Sequence, residues 1–130
     1  MLDVAAIVRI LEPLGIEALW VFGSVARGTP RPDSDVDLGG LFKTPPDLDA
    51  ILGARADIAA ILGREVDLVD LEAISPILAF QVVKHGRLAH EKAPGRRVRF
   101  VAELIGRYED VKRFREPIER AAIARLRGHA

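Results

Sequence analysis

Ala18 to Phe22 is an unbroken apolar run that stops at Gly23-Ser24. A run this short, bounded by turn residues, reads as a buried strand feeding a tight turn. What lies on either side limits the fold further. Behind Asp3, an N-cap, the residues Val4, Ile7, Val8 and Leu11 recur at helical spacing until Pro13 and Gly15 end the pattern. Thr29 to Ser34, with Pro30, Pro32 and Asp33, has loop chemistry, and Asp35 to Phe42 reads as a second strand. Pro45-Pro46-Asp47 then opens a helix with Leu48, Ile51, Leu52, Ile58 and Leu62 on its apolar face, and Gly63 stops it. Val66 to Leu71 is a third strand. Ser75-Pro76 is an N-cap and N1 pair for a helix through about Lys84, and Gly86 separates it from an edge strand over Arg87 to His90. From Pro94 the pattern is helical, with Pro117 either kinking this helix or starting a final one. Strands alternating with helices predict the α/β (α+β) class: a small mixed sheet flanked by helices. At 130 residues the chain has the size of one domain. It divides into a core over 1–93 and a C-terminal helical extension over 94–130 that belongs to the same domain.

Nineteen Lys and Arg balance nineteen Asp and Glu, so net charge points to no class of partner. The balance conceals a split. Residues 1–93 carry nine basic and fourteen acidic groups, and residues 94–130 carry ten basic and five acidic. The chain has no cysteine, which excludes a disulfide scaffold, a zinc-thiolate site and thiol nucleophilic chemistry, and suits a reducing cytoplasm. No apolar run approaches the length of a membrane span, and Met1-Leu2-Asp3-Val4 lacks the basic flank of a signal peptide. The expected location is therefore cytoplasmic, with no membrane partner.

The chemistry concentrates between Gly23 and Leu38. A strand running into Gly23-Ser24 and a short helical segment places backbone N–H groups and a hydroxyl where a helix dipole favours phosphate. Gly23 lets the backbone come close, because a Cβ would stand in the way. Asp35 and Asp37, two apart on a strand, project from one face with Cα atoms roughly 7 Å apart. An isolated Asp-x-Asp is ordinarily a solvated strand face. Beside a phosphate-binding turn the pair suits magnesium, which binds through one or two carboxylates plus substrate phosphates. A third acid is expected, and Asp67 and Asp70 are the candidates. Their opposite parity on a strand allows only one to face Asp35 and Asp37, and parity alone does not choose.

These residues resemble the minimal nucleotidyltransferases of the DNA polymerase beta superfamily, in the form Gly23-Ser24-x-Ala26-Arg27-Gly28-x5-Ser34-Asp35-x-Asp37-Leu38. The resemblance covers roughly residues 3 to 90. It includes Gly63-Arg64-Glu65-Val66-Asp67-Leu68-Val69, whose Asp67 matches the family's third carboxylate, leaving Asp70 to cap the next segment or meet solvent. The resemblance implies nucleotidyl transfer, in which an acceptor hydroxyl attacks the α-phosphorus of a magnesium-bound nucleoside triphosphate and pyrophosphate leaves. It implies that Asp35 and Asp37 hold two Mg2+ ions, and that Asp67 shares the metal at the acceptor side and helps to take the hydroxyl proton. It places Gly23 and Ser24 on the β- and γ-phosphates, with Arg27 adding positive charge and Ser34 completing the nucleotide-binding motif. One departure is Gly39-Gly40, where the family has bulky aliphatics; the pair weakens the strand or leaves space over the nucleotide.

Short stand-alone chains of this family resemble antitoxins that adenylylate a tyrosine of an all-helical HEPN-type ribonuclease toxin. The resemblance thus implies ATP as substrate, a HEPN-type toxin as hetero-oligomeric partner, and no direct binding of nucleic acid. Two alternatives stand beside it: AMP transfer to a small hydroxyl compound such as an aminoglycoside, and neutralisation by occlusion without catalysis. The first normally needs a larger second domain, and only about forty residues follow the core; the second has no use for three clustered acids. The chain does not match the toxin itself, whose Arg and His are spaced more widely than Arg125 and His129. Elsewhere, His85 and His90 fit no metal template and read as surface or strand-edge residues, Trp20 reads as core, and Tyr108 as packing or surface. The Arg96-Arg97-x-Arg99 cluster and the later arginines read as a solvated helical face, with docking of an acidic partner or RNA as the functional alternative.

Overall fold

The computed structural model describes residues 2–23 and 35–128. They form α1 (Val4–Leu11), a 3-10 turn (Glu12–Leu14), β1 (Ile16–Phe22), β2 (Val36–Phe42), α2 (Leu48–Leu62), β3 (Val66–Asp70), α3 (Pro76–His85), β4 (Arg87–Glu91) and α4 (Pro94–Gly128). The expected N-caps are in place. Asp3 accepts a hydrogen bond from the Ala6 N–H, Asp47 from the Ala50 N–H and Ser75 from the Leu78 N–H, at 3.1, 2.8 and 3.2 Å. Each satisfies a backbone donor that the first helical turn leaves free. Gly63 closes α2 in the left-handed region at φ +64°, which a side chain rarely adopts.

The four strands lie in the order β3-β2-β1-β4. β1 pairs antiparallel with both β2 and β4, whereas β2 and β3 run parallel, joined by α2 as a crossover. The sheet is mixed, as the alternation of elements predicts. β1 starts two residues before the apolar run, because Ile16 already pairs with Phe42 and an irregularity of register absorbs Glu17. β2 begins at Val36, leaving Asp35 just ahead of the strand.

Two apolar layers sandwich the sheet. On one face Leu19 and Val21 of β1, Val36, Leu38 and Phe42 of β2, and Val66 and Leu68 of β3 pack against Ile7, Val8 and Leu11 of α1 and Ala54 and Ile58 of α2. On the other, Ala18, Trp20 and Leu41 pack with Leu71, with Ala79 and Val82 of α3, and with Phe100 and Leu104 of α4. Trp20 is core, as expected.

Gly39 and Gly40 do not shorten β2, and neither leaves open space. Both are buried within the strand. A Cβ on Gly39 would stand 2.9 Å from Leu71 Cδ2 and 3.1 Å from Val82 Cγ1, and one on Gly40 would stand 2.7 Å from the Phe42 ring. Large neighbours already fill the volume that bulky aliphatics would occupy.

α4 is a single helix through Pro117, so no final helix starts there. Proline removes one helical hydrogen bond, and in an exposed stretch water can take the freed carbonyl. The start of α4 is tied down. Arg96 donates to the Phe42 carbonyl at 3.3 Å and to Glu72 Oε1 at 2.6 Å, and Arg97 pairs with Glu91. Two members of the expected solvated arginine face thus hold the helix to its own sheet. Further along, Phe114, Ile118 and Leu126 are exposed by 79%, 70% and 75%. Among the described residues no helix is long and apolar enough to cross a membrane.

Candidate active site

Asp37 and Asp67 are register partners on the adjacent parallel strands β2 and β3. Alternation along β2 places Asp37 on the side of Gly39 and Leu41, the face that α3 and α4 cover. Alternation along β3 puts Asp67 on that same side with Val69. Asp70 has the opposite parity, and its Oδ1 accepts a hydrogen bond from the Glu72 N–H at 3.0 Å, a turn-capping arrangement. The two acids that parity left open therefore occupy different faces, and Asp67 is the one beside Asp37.

Burial pushes the Asp37 carboxyl above the ordinary carboxylate range, and repulsion first from Asp67 and then from Asp35 raises it further. Burial also lifts Asp70, against the Glu72 N–H that lowers it. What distinguishes Asp37 is the source of the repulsion: two other aspartates act on it from β3 and from the mouth of β2. Three carboxylates gathered so that one resists ionisation are a site short of positive charge.

The end of β1 arrives at the same place, since Phe22 pairs with Asp37 and Gly23 follows directly. Gly23 has φ +75°, and a Cβ there would collide with Asp37 Oδ2. Its conformation and its lack of a side chain are both required, and the group it makes room for is the Asp37 carboxylate. Ser24, Arg27 and Ser34 lie outside the described residues.

Among the described residues no three His, Cys, Asp or Glu side chains close by themselves around a metal position. The donors are all carboxylate oxygens, partly exposed at the rim of the sheet. That set fits a hard cation whose remaining ligands come from a substrate phosphate, and does not fit a permanently caged one.

The other side chains weighed earlier divide cleanly. Tyr108 stacks on Phe80 with ring centroids 4.0 Å apart, a packing role. His90 and His85 line separate cavities. The residues that sequence reasoning passed over are Leu78, Gln81 and Val82, which share one face of α3 with His85 and with it, Phe22 and Gly23 line a cavity of about 360 Å3. Their i, i+3, i+4, i+7 spacing was the available signal. A larger cavity of about 560 Å3 lies beside α2 and contains none of the three aspartates.

The chain matches the family model described as polymerase beta, nucleotidyltransferase, over residues 6–94. It is 33% identical over 72 residues to the protein adenylyltransferase MntA of Shewanella oneidensis, an alignment covering 55% of this chain and 52% of that protein. The chain thus spans about half the length of this curated relative. Among solved structures, a chain of a toxin-antitoxin crystallised with AMP-PNP superposes with a TM-score of 0.83 at 27% identity, covering 94% of this chain and 99% of that one. A chain of a tri-AMPylated Shewanella oneidensis HEPN toxin in complex with an MNT antitoxin shares the fold, with a TM-score of 0.77 at 24% identity over 95% of this chain and 99% of that one. With the match spanning most of its length and taking in Gly23, Asp35, Asp37 and Asp67, the chain belongs to the polymerase beta nucleotidyltransferase family.

Proposed function

We propose that this protein is an antitoxin that transfers AMP from ATP to a tyrosine hydroxyl of a HEPN-type ribonuclease toxin, releasing pyrophosphate and silencing the toxin. The observation that carries the reading is the in-register pair Asp37 and Asp67, with Asp35 beside it and Gly23 against it, in a chain of this family. The likeness to a protein adenylyltransferase and to a toxin-antitoxin holding an ATP analogue supports the substrate and the partner.

In the transfer, the tyrosine oxygen forms a bond to the α-phosphorus as the bond from that phosphorus to the β-phosphate oxygen breaks. Asp35 and Asp37 would hold magnesium, and Asp67 would share it and accept the hydroxyl proton. Bound as two ions, magnesium would supply Lewis-acid polarisation of the phosphate oxygens and charge neutralisation for the leaving pyrophosphate. Gly23 and Ser24 cradle the β- and γ-phosphates, Arg27 adds positive charge, and Ser34 supports the nucleotide. The raised proton affinity of Asp37 supports this assignment, because it marks a place where three acids lack a counter-charge.

The extension over 94–130 belongs to the same domain as the core over 1–93, a reading supported by Phe100 and Leu104 being buried against the sheet. Its distal part, with exposed Phe114, Ile118 and Leu126 among basic residues, is the surface proposed for the toxin. The reaction suits the cytoplasm, where ATP is available and a cysteine-free chain meets no oxidising demand.

The test incubates the protein with magnesium, α-labelled ATP and either the product of the adjacent reading frame or a panel of aminoglycosides. Label on a tyrosine of the neighbouring protein, lost in Asp37→Ala, is expected. Label on the drug replaces the proposed acceptor with a small molecule, and neutralisation that survives Asp35→Ala combined with Asp37→Ala reduces the protein to a binder.

A further inference from the structure

The order of the strands sets a direction for the reaction. In β3-β2-β1-β4, Gly23 lies at the end of β1 on one side of Asp37, and Asp67 lies on β3 on the other. Transfer at phosphorus keeps the attacking and leaving oxygens roughly in line. With pyrophosphate leaving toward Gly23, the acceptor oxygen arrives from the side of Asp67. β3 is the last strand of the sheet on that side, and Asp67 is exposed on it. An acceptor therefore comes in over the edge of β3.

That edge borders the cavity of about 560 Å3 beside α2, an open groove lined by Leu52, Ala56 and Ala59 of α2 and by Val66 of β3. Val66 is 3% exposed and Leu52 47%, so a buried strand residue meets a half-exposed apolar helix residue. Arg55 donates through Nε to the Val66 carbonyl at 2.7 Å, which fixes a positive charge at the strand edge. Arg64 brings a second positive charge to the lining and Glu65 one negative. A polycationic aminoglycoside meets the wrong sign here, whereas an apolar protein segment carrying a carboxylate matches both the surface and its charge.

We propose that the groove between α2 and β3 seats the segment of the partner protein that carries the acceptor hydroxyl, an apolar stretch with a carboxylate for Arg55. The segment crosses the edge of β3 and delivers a long side chain to Asp67. The inference rests on the nucleotidyl-transfer reading and adds the route by which the acceptor enters. Val66 lines the groove, and Asp67 is the next residue, about 3.3 Å along the strand and turned to the opposite face. The fixed Arg55 charge offsets the repulsion that three aspartates exert on an acidic segment. The distal part of α4 captures the partner, and the groove positions its acceptor.

A photo-crosslinking side chain placed at Ala56 in the full chain tests docking without turnover, with Ile61, exposed on the same helix outside the groove, as the control position. The partner is the product of the adjacent reading frame. A crosslink from position 56 to that partner, absent from position 61, is expected. Leu52→Glu is expected to slow label transfer from α-labelled ATP by about tenfold or more, while affinity for a non-hydrolysable ATP analogue stays within about twofold of wild type. An unchanged melting temperature reports that its fold is intact. Arg55→Glu is expected to slow transfer more than Arg55→Gln, since only the reversed charge repels the segment's carboxylate. Transfer by Leu52→Glu within about twofold of wild type overturns the proposal, as does a crosslink that joins two copies of this chain in place of the partner. A fall of transfer and analogue affinity together also overturns it, because the groove then serves the nucleotide. A partner crosslink from position 56 in a protein that transfers no label upholds the docking surface and overturns the transfer reaction. Transfer to the partner with no such crosslink and no loss in Leu52→Glu does the reverse.

Discussion

The two faces of the sheet are built from the same strands, yet they end differently. Under α1 and α2 the apolar layer runs the length of β2, from Val36 through Leu38 to Phe42, and along β3 from Val66 to Leu68. Under α3 and α4 the layer stops short: Leu41 and Gly39 are covered, and then the strand pair presents Asp37 and Asp67 side by side. One face is devoted to stability. The other gives up part of its core to hold like charges together, an arrangement that costs free energy in the absence of a counter-charge. The lesson is that a period-two strand can serve both ends at once, because successive residues never share a face.

The largest effect expected from breaking this asymmetry is on chemistry. Asp37→Asn should reduce the proposed AMP transfer by about a thousandfold or more, read as label incorporated into the partner, because the carboxylate proposed to hold the metal and its charge are both lost. Circular dichroism should show the fold unchanged.

On the opposite face the same kind of cut should act on stability alone. Ile58→Ala removes a fully buried side chain from beneath the sheet, and about 2–5 kcal/mol should be lost in urea unfolding. The affinity for nucleotide should stay that of wild type. A large change in affinity would mean that the two faces are coupled.

Gly39 lies where the faces meet in sequence, two residues from Asp37. Gly39→Ala puts a methyl 2.9 Å from Leu71 Cδ2, so about 1–3 kcal/mol should be lost to overpacking in the same measurement. A neutral or stabilising result would show that α3 gives way more easily than its packing indicates.

Removing residues 113–130 should cost less than about 1 kcal/mol, because Phe114, Ile118 and Leu126 are exposed while Phe100 and Leu104 remain in place. Capture of the proposed toxin partner should nonetheless be lost. Retained capture would move the partner surface elsewhere.

The smallest effect is a dependence on pH. The folded pKa of Asp37 lies above its ordinary 3.8, so across the interval between the two values the folded protein binds more protons than the unfolded chain. Stability is therefore present below 3.8 and is lost as pH rises through the folded pKa. Asp37→Asn should melt slightly higher than wild type at neutral pH without metal, and the difference should vanish in acid. Magnesium with a nucleotide analogue should raise the wild-type melting temperature more than that of the variant. Equal melting of both proteins at every pH would remove the electrostatic cost assigned to the site.

Much of this was legible along the chain. Asp3, Asp47 and Ser75 marked helix starts, and the N–H groups they accept from are where capping chemistry puts them. Short apolar runs between turn residues marked the strands, because both capping and burial are decided within a few neighbouring residues. The start of β1 was missed since Glu17 interrupts the run, and only its pairing with β2 shows that an irregularity of register absorbs it. Gly39-Gly40 was misread because a glycine says nothing of what fills the space it leaves; Leu71, Val82 and Phe42 come from other parts of the chain and from the next turn of the strand.

By itself, then, the sequence determined the class of fold, the position of the Gly23 turn and the two-residue spacing of Asp35 and Asp37, all of which depend on local spacing. Its motif also carried the likeness to nucleotidyltransferases. That likeness already chose Asp67 over Asp70; tertiary structure decided that Asp67 lies in register with Asp37 on the adjacent strand, that Gly23 is bare to admit a carboxylate, and that one face of α3 opens a cavity at the same point. Each of these depends on the register between β2 and β3 or on the seating of α3, and contacts between residues distant in sequence are set by packing that no single segment encodes.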